Sequence, residues 1–223
     1  MVKSTSRNAN KVRAIGPFDR DRMTEKPASR RNSSPVPPGT MIRGIFLVGF
    51  MGAGKTSVGR RLAERLGWRF VDLDQHIEAQ EGLPVPEIFR RYEESGFRDR
   101  EHRALSSLMN DLNLAGPAVV GLGGGTFVQP SNLSLLSSMD TPTIFLDAPV
   151  EELWQRCTTS GEPERPLRRD ETSFRTLHEQ RRAHYLRSSW RVETAGKRIE
   201  QIAEEVIAVL GISGETASEE KAE

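Results

Sequence analysis

The chain has 223 residues, of which 36% are hydrophobic and 28% charged, and a net charge of +1. That balance suits a soluble globular protein with one ordinary core, and no apolar run approaches the ~18 residues a membrane span needs. Cys157 is the single cysteine, which excludes an internal disulfide and a cysteine-built metal site and fits a reducing, cytoplasmic setting.

The charge is unevenly placed. Residues 1–40 hold nine Lys/Arg against three Asp/Glu, together with five of the thirteen prolines, so the remaining 183 residues sum to −5. With no apolar period, residues 1–40 read as a disordered basic tail. A nucleic-acid-binding arm, a transit peptide and an arm of no specific use all remain open, with Asp19, Asp21 and Glu25 counting against the transit peptide. Met41 offers an alternative natural start. Residues 213–223 are polar and acidic and read as a disordered C-terminus, which leaves one domain over 41–212.

Within that domain, IRGIFLVG (42–49) has no polar face, as expected of a strand covered on both sides. A helix follows from Gly54, with Val58, Leu62 and Leu66 at spacing four and Gly67 to end it. WRFVDLD (68–74) reads as a second strand. Helical stretches come next, PEIFRRYE around 86–93 and FRDREHRALSSLMNDL at 97–112, the latter with Leu105, Leu108, Met109 and Leu112 on one face. PAVVGLGGG (117–125) is a third strand running into glycines, and TPTIFLDAP (141–149) a fourth, leading into the helix VEELWQRC. The polar stretch 158–170 shows no period. A helix over 171–188, a strand at 190–194 and a helix from Ile199 to Leu210 complete the domain. Strands alternating with helices predict an α/β protein with a parallel sheet between helical layers.

Residues 49–56, GFMGAGKT, match G-x-x-x-x-G-K-[ST] between a strand and a helix. Glycines there let successive backbone N–H groups turn inward onto phosphate oxygens, and the helix N-terminus adds partial positive charge. The pattern predicts a nucleoside triphosphate held by Gly52, Ala53, Gly54, Lys55, Thr56 and Ser57, with Lys55 on the outer phosphates and Thr56 joining Mg²⁺ coordination. If DLD is the end of a strand, Asp72 and Asp74 share a face, roughly 6–7 Å apart, at the sheet edge where ligands bind. The alternative is a strand end before a helix cap. His76, His102, His178 and His184 show no metal-ligand spacing and read as surface or supporting residues, and Trp154 and Trp190 as core.

Beyond the loop, DLD (72–74), GFRDRE (96–101), LGGG (122–125), RPL (165–167) and LHEQRRAHY (177–185) follow in an order that resembles the shikimate kinases across essentially all of 41–210. The resemblance implies a P-loop kinase fold, a five-stranded parallel sheet of order 2-3-1-4-5 with a mobile lid. It implies transfer of phosphate from ATP, with Mg²⁺, to the 3-hydroxyl of shikimate, a small cyclic carboxylic acid, in aromatic amino-acid biosynthesis. By resemblance Asp72 is the metal-side carboxylate, acting through water, and Asp74 takes the acceptor's proton. Arg98 and Arg181 clamp the acceptor's carboxylate, Gly124 and Gly125 lie against its ring, Arg156 stacks on adenine, and Arg165 swings with the lid onto the phosphates. Arg181 is preferred to Arg182 because it stands four residues before Tyr185, although Ala-His-Tyr here departs from the family's Pro-Leu-Tyr. The expectation is a cytoplasmic protein acting on a small molecule, a monomer with no nucleic-acid or membrane partner, although no residue pattern speaks to the oligomeric state. Two rival readings are another small-molecule P-loop kinase, of gluconate or nucleoside-monophosphate type, and a non-catalytic nucleotide switch; Asp74 and Arg165 count against the switch.

Overall fold

A computed structural model describes residues 41–139, 141–159 and 170–212. The basic tail, the C-terminus 213–223 and most of the expected lid, Arg165 included, lie outside the described residues. Strands β1 (Gly44–Val48), β2 (Arg69–Asp72), β3 (Ala118–Gly121), β4 (Thr143–Asp147) and β5 (Trp190–Glu193) form one parallel sheet in the order β2-β3-β1-β4-β5, as the resemblance implies. Burial explains the order. β1, β3 and β4 are buried at every residue and carry almost only apolar side chains, so they take the three inner places. β2 and β5 keep partly exposed residues and close the edges. Phe46 of β1 stands level with Val120 on one side and Thr143 on the other.

Helices α1 (Lys55–Leu66), α2 (Leu73–Glu81), α3 (Val85–Leu114), α4 (Pro130–Ser138), α5 (Val150–Thr159), α6 (Glu171–Tyr185) and α7 (Ile199–Leu210) supply the covering layers. α1 buries Val58, Leu62 and Leu66, the expected stripe, and ends at Gly67 in the left-handed conformation. α7 runs over the expected residues and buries Ile202, Ala203, Val206 and Leu210. Among the described residues no helix is long and apolar enough to cross a membrane.

Three departures from the sequence pattern bear on the site. β2 stops at Asp72, so Asp74 is not a strand residue: it lies in the first turn of α2, and Asp72 is that helix's N-cap. The expected shared strand face is therefore corrected to a strand end and a helix cap. α3 spans both expected helical stretches but breaks at Glu93, whose φ of 58° and ψ of −175° are not helical. A short 3-10 turn at Thr126–Val128 and helix α4, neither apparent from the sequence, follow the glycines after β3.

Phe50 of the glycine loop meets Phe174 of α6 edge-on at 4.9 Å and His178 at 5.3 Å, and Phe174 meets Trp154 of α5 at 5.1 Å. The two helices that flank the expected lid are thus packed through one aromatic cluster, α6 directly on the phosphate loop and α5 through Phe174. Of the two expectations for the histidines, His178 meets the supporting one: it is buried behind the loop's Phe50. Burial, then the charge of Arg182, pushes its pKa below the ordinary 6.5. The native state thus favours neutral His178, and as pH falls the unfolded chain takes up this proton first. The stabilisation is complete above pH 6.5 and is lost as pH falls through 6.5 toward the lowered native value. Urea unfolding measured from about pH 7.5 down to about pH 5.5 is expected to show this loss, with a smaller decline in His178→Gln. An equal decline in both proteins would contradict it.

Candidate active site

The glycine loop leaves β1 with three residues at positive φ, Gly49 at 155°, Gly52 at 79° and Gly54 at 86°. A methyl on Gly52 would also come within 2.9 Å of both Cys157 Sγ and the Leu153 carbonyl oxygen, so α5 packs where a side chain would go. Only glycine meets both conditions. Gly54 caps α1 without a side-chain hydrogen bond, which leaves the helix's first N–H groups directed to whatever the loop holds. Lys55 folds back over the loop and donates to the carbonyls of Gly49 at 2.8 Å and Phe50 at 3.0 Å. Ala53 is buried in the loop, and Ser57 is exposed in the first turn of α1. Arg156 of α5 reaches the same loop, donating to the Gly52 carbonyl at 3.3 Å, and is held from behind by Glu152.

Thr56 donates its hydroxyl to Asp72 Oδ2 at 3.0 Å, joining the end of β2 to the start of α1. The other carboxylate oxygen of Asp72 accepts from the backbone N–H groups of Asp74 at 3.1 Å and Gln75 at 3.4 Å. That cap turns the chain so that Asp74 leaves β2 and meets the next strand's glycines. A methyl on Gly123 would lie 2.7 Å from Asp74 Oδ1. Thr56 and Asp72 together present a hydroxyl and a carboxylate, the hard oxygen donors that suit Mg²⁺.

The same close approach repeats along the strip. A methyl on Gly124 would lie 3.3 Å from Arg181 Nη1 and 4.0 Å from the Gly49 carbonyl, and one on Gly125 would lie 2.5 Å from Arg98 Nη1. Gly123, Gly124 and Gly125 thus stand beside Asp74, Arg181 and Arg98 in turn, with the phosphate loop at their back. Three helices, α2, α6 and α3, supply those three side chains.

Arg98 is held from below. Its Nη1 donates to Glu101 Oε2 at 3.0 Å and its Nη2 to Glu94 Oε1 at 3.1 Å. Burial works against its charge, but Glu101 and then Glu94 more than offset this, so its pKa is raised. Its Nε is buried with no hydrogen-bond partner. Glu101 is 1% exposed and also accepts from the Thr126 hydroxyl at 2.7 Å. Buried Asn132 donates to the Thr126 carbonyl at 3.0 Å and pairs with His102 at 2.7 Å. Nothing in composition pointed to Thr126 or Asn132; for Glu101 the i, i+3 spacing from Arg98 was the available signal.

The two arginines of α6 part company. Arg181 faces Gly124 and stands 6.0 Å from the Phe50 ring, whereas Arg182 pairs with Asp147 at 2.7 Å. Tyr185, one turn beyond Arg181, donates its hydroxyl to the Gly124 carbonyl. Burial pushes the Tyr185 phenol up to about 12 against the opposing charge of Arg181, so it stays a donor at neutral pH.

A shikimate kinase family model matches residues 51–211. The shikimate kinase of Persephonella marina is 41% identical over 167 residues, spanning 74% of this chain and 98% of the relative. That of Geobacter metallireducens is 36% identical, spanning 80% of this chain and 97% of its own. Among solved structures, the shikimate kinase from Acinetobacter baumannii in complex with shikimate superposes with a TM-score of 0.69 at 34% identity, over 76% of this chain and 93% of that one. The chain belongs to the shikimate kinase family.

Proposed function

We infer that the protein transfers the γ-phosphoryl group of ATP to the 3-hydroxyl of shikimate, giving shikimate 3-phosphate and ADP. The observation that carries the reading at this site is the convergence of Asp74, Arg181 and Arg98 on the bare strip Gly123–Gly125, with Gly124 against the Gly49 carbonyl of the phosphate loop. A small acid needs cations for its carboxylate, main chain it can lie against, and an acceptor for the proton of its alcohol. All three are supplied along the glycine strip, whose Gly124 borders the Gly49 carbonyl of the triphosphate loop.

In this reading Arg98 and Arg181 hold the carboxylate through their guanidinium groups. Asp74 accepts a hydrogen bond from the attacking hydroxyl and takes its proton. The new O–P bond forms as the bond to the β-phosphate oxygen breaks, and ADP leaves with the electron pair. Transition states for this transfer are loose, so the protein's contribution is orientation and charge. Lys55 moves from the Gly49 and Phe50 carbonyls to the outer phosphates when nucleotide fills the loop. Arg156, already on the loop, borders the nucleotide. Thr56 and Asp72 would hold Mg²⁺, Asp72 through water, and the ion would neutralise charge on the phosphates.

ADP release is expected to depend on shikimate and to be absent with gluconate or a nucleoside monophosphate. Equal release with either of those would overturn the assignment. Arg98→Ala is expected to weaken shikimate binding by about 2–5 kcal/mol while sparing ATP, because it removes a desolvated partner of a carboxylate. A loss confined to ATP affinity would contradict the placing of Arg98 on the acceptor.

A further inference from the structure

Asp147 ends β4 and takes no part in the chemistry described above. It is 5% exposed, yet its carboxylate holds two arginines from different elements. Arg182 of α6 donates from Nη2 to Oδ2 at 2.7 Å and from Nε to Oδ1 at 3.4 Å. Arg191 of β5 brings its Nε within 2.8 Å of the same Oδ2. The backbone carbonyl of Asp147 is used as well, accepting from the Thr194 N–H at 2.8 Å and the Thr194 hydroxyl at 3.3 Å. One residue before it, the Leu146 carbonyl lies 2.9 Å from where a methyl on Gly49 would be. Asp147 therefore ties α6 to the strand against which the phosphate loop begins.

Successive residues of an α-helix are turned by about 100°. Fixing Arg182 onto Asp147 consequently fixes the direction of Arg181. Tyr185, one turn along the Arg181 face, supplies a second attachment through the Gly124 carbonyl. With both in place α6 cannot roll about its axis without breaking a buried contact. Arg182 also has its charge matched, so it does not compete with Arg181 for an anion at the glycine strip. Partly buried ion pairs are weak sources of net stability, because desolvation consumes most of the attraction, and in some systems their role is instead to specify geometry.

We propose that Asp147 is a positioning residue for acceptor binding: by gripping Arg182 it aims Arg181 at the glycine strip and leaves it as the arginine of this pair that meets the acceptor's carboxylate. The proposal rests on the reading of Arg181 as an acceptor arginine and adds what holds it there.

The test compares Arg182→Met, which keeps the apolar stem, Arg182→Lys, Asp147→Asn and Arg181→Met in the full chain. Arg182→Met and Asp147→Asn are expected to raise the KM for shikimate about tenfold while kcat and the KM for ATP stay within about twofold, with Arg182→Lys recovering part of the loss. Should Asp147→Asn fail to fold, Arg182→Met carries the test, since Arg191 still faces the carboxylate. The titration of His178, followed by NMR, reports the pair independently, because Arg182, Asp147, Glu179 and Glu151 all act on it. Its midpoint is expected to rise in Arg182→Met, where a charge that lowers it is gone. A fall in melting temperature with both KM values unchanged, or an unmoved His178 midpoint in Arg182→Met, overturns the proposal. If Arg181→Met itself leaves the shikimate KM unchanged, the fault lies in the reading of Arg181 and the proposal falls with it.

Discussion

A methyl group on Gly125 would stand 2.5 Å from the Arg98 guanidinium, one on Gly123 2.7 Å from the Asp74 carboxylate, and one on Gly52 2.9 Å from Cys157 Sγ. At each of these places the chain forgoes a side chain so that something charged or packed can reach its backbone. The absence of Cβ atoms along the carboxyl edge of β1 and β3 is what allows α2, α3, α5 and α6 to crowd onto two adjacent inner strands. Glycine costs about 1 kcal/mol of conformational entropy relative to alanine in regular structure, and here that cost is repeated along both segments. In exchange, a phosphate loop and a strip of bare main chain lie side by side, close enough for one reaction.

The polar scaffold behind the strip has the opposite character: it is buried and densely bonded. Glu101 links Arg98 to Thr126, and Asn132 links Thr126 to His102. Removing one member of such a network leaves another buried group without a partner, which costs about 1–3 kcal/mol for a neutral group and more for a charge. On the other side, Asp147 and Tyr185 fix α6 by an ion pair and a hydrogen bond. In the proposed reading, the cations that meet the small acid are thus set before it arrives, so less ordering remains to be done on binding.

The fold was legible where burial leaves a pattern. β1 and β4 are continuous apolar runs, and α7 repeats its apolar face every three to four residues. The phosphate loop was legible because its glycines and lysine follow a fixed spacing between a strand and a helix, a pattern independent of hydrophobic periodicity. Asp72 and Asp74 misled the strand reading because Asp-Leu-Asp has the alternation of an edge strand; a capping carboxylate has the same composition as a strand-end carboxylate, and only its bonds to the N–H groups of Asp74 and Gln75 distinguish them. α4 escaped because its serines and leucines carry no strong period and no side chain caps it. Glu93 looks like any helical glutamate, and nothing local announces a break there. Thr126 and Asn132 act through partners 25 and 30 residues away, a separation at which sequence spacing carries no information. The two arginines of α6 differ only in which side of the helix they occupy, and Asp147, which separates them, comes 35 residues earlier.

The central claim is that the missing side chain at Gly125 makes room for a guanidinium that serves the acceptor. Gly125 has φ −100° and ψ −17°, a conformation alanine adopts without strain, so Gly125→Ala changes space and little else. Steady-state kinetics of this variant are predicted to show a shikimate KM raised at least about tenfold with the KM for ATP within about twofold. An unchanged shikimate KM, or an equal loss for both substrates, would contradict the account.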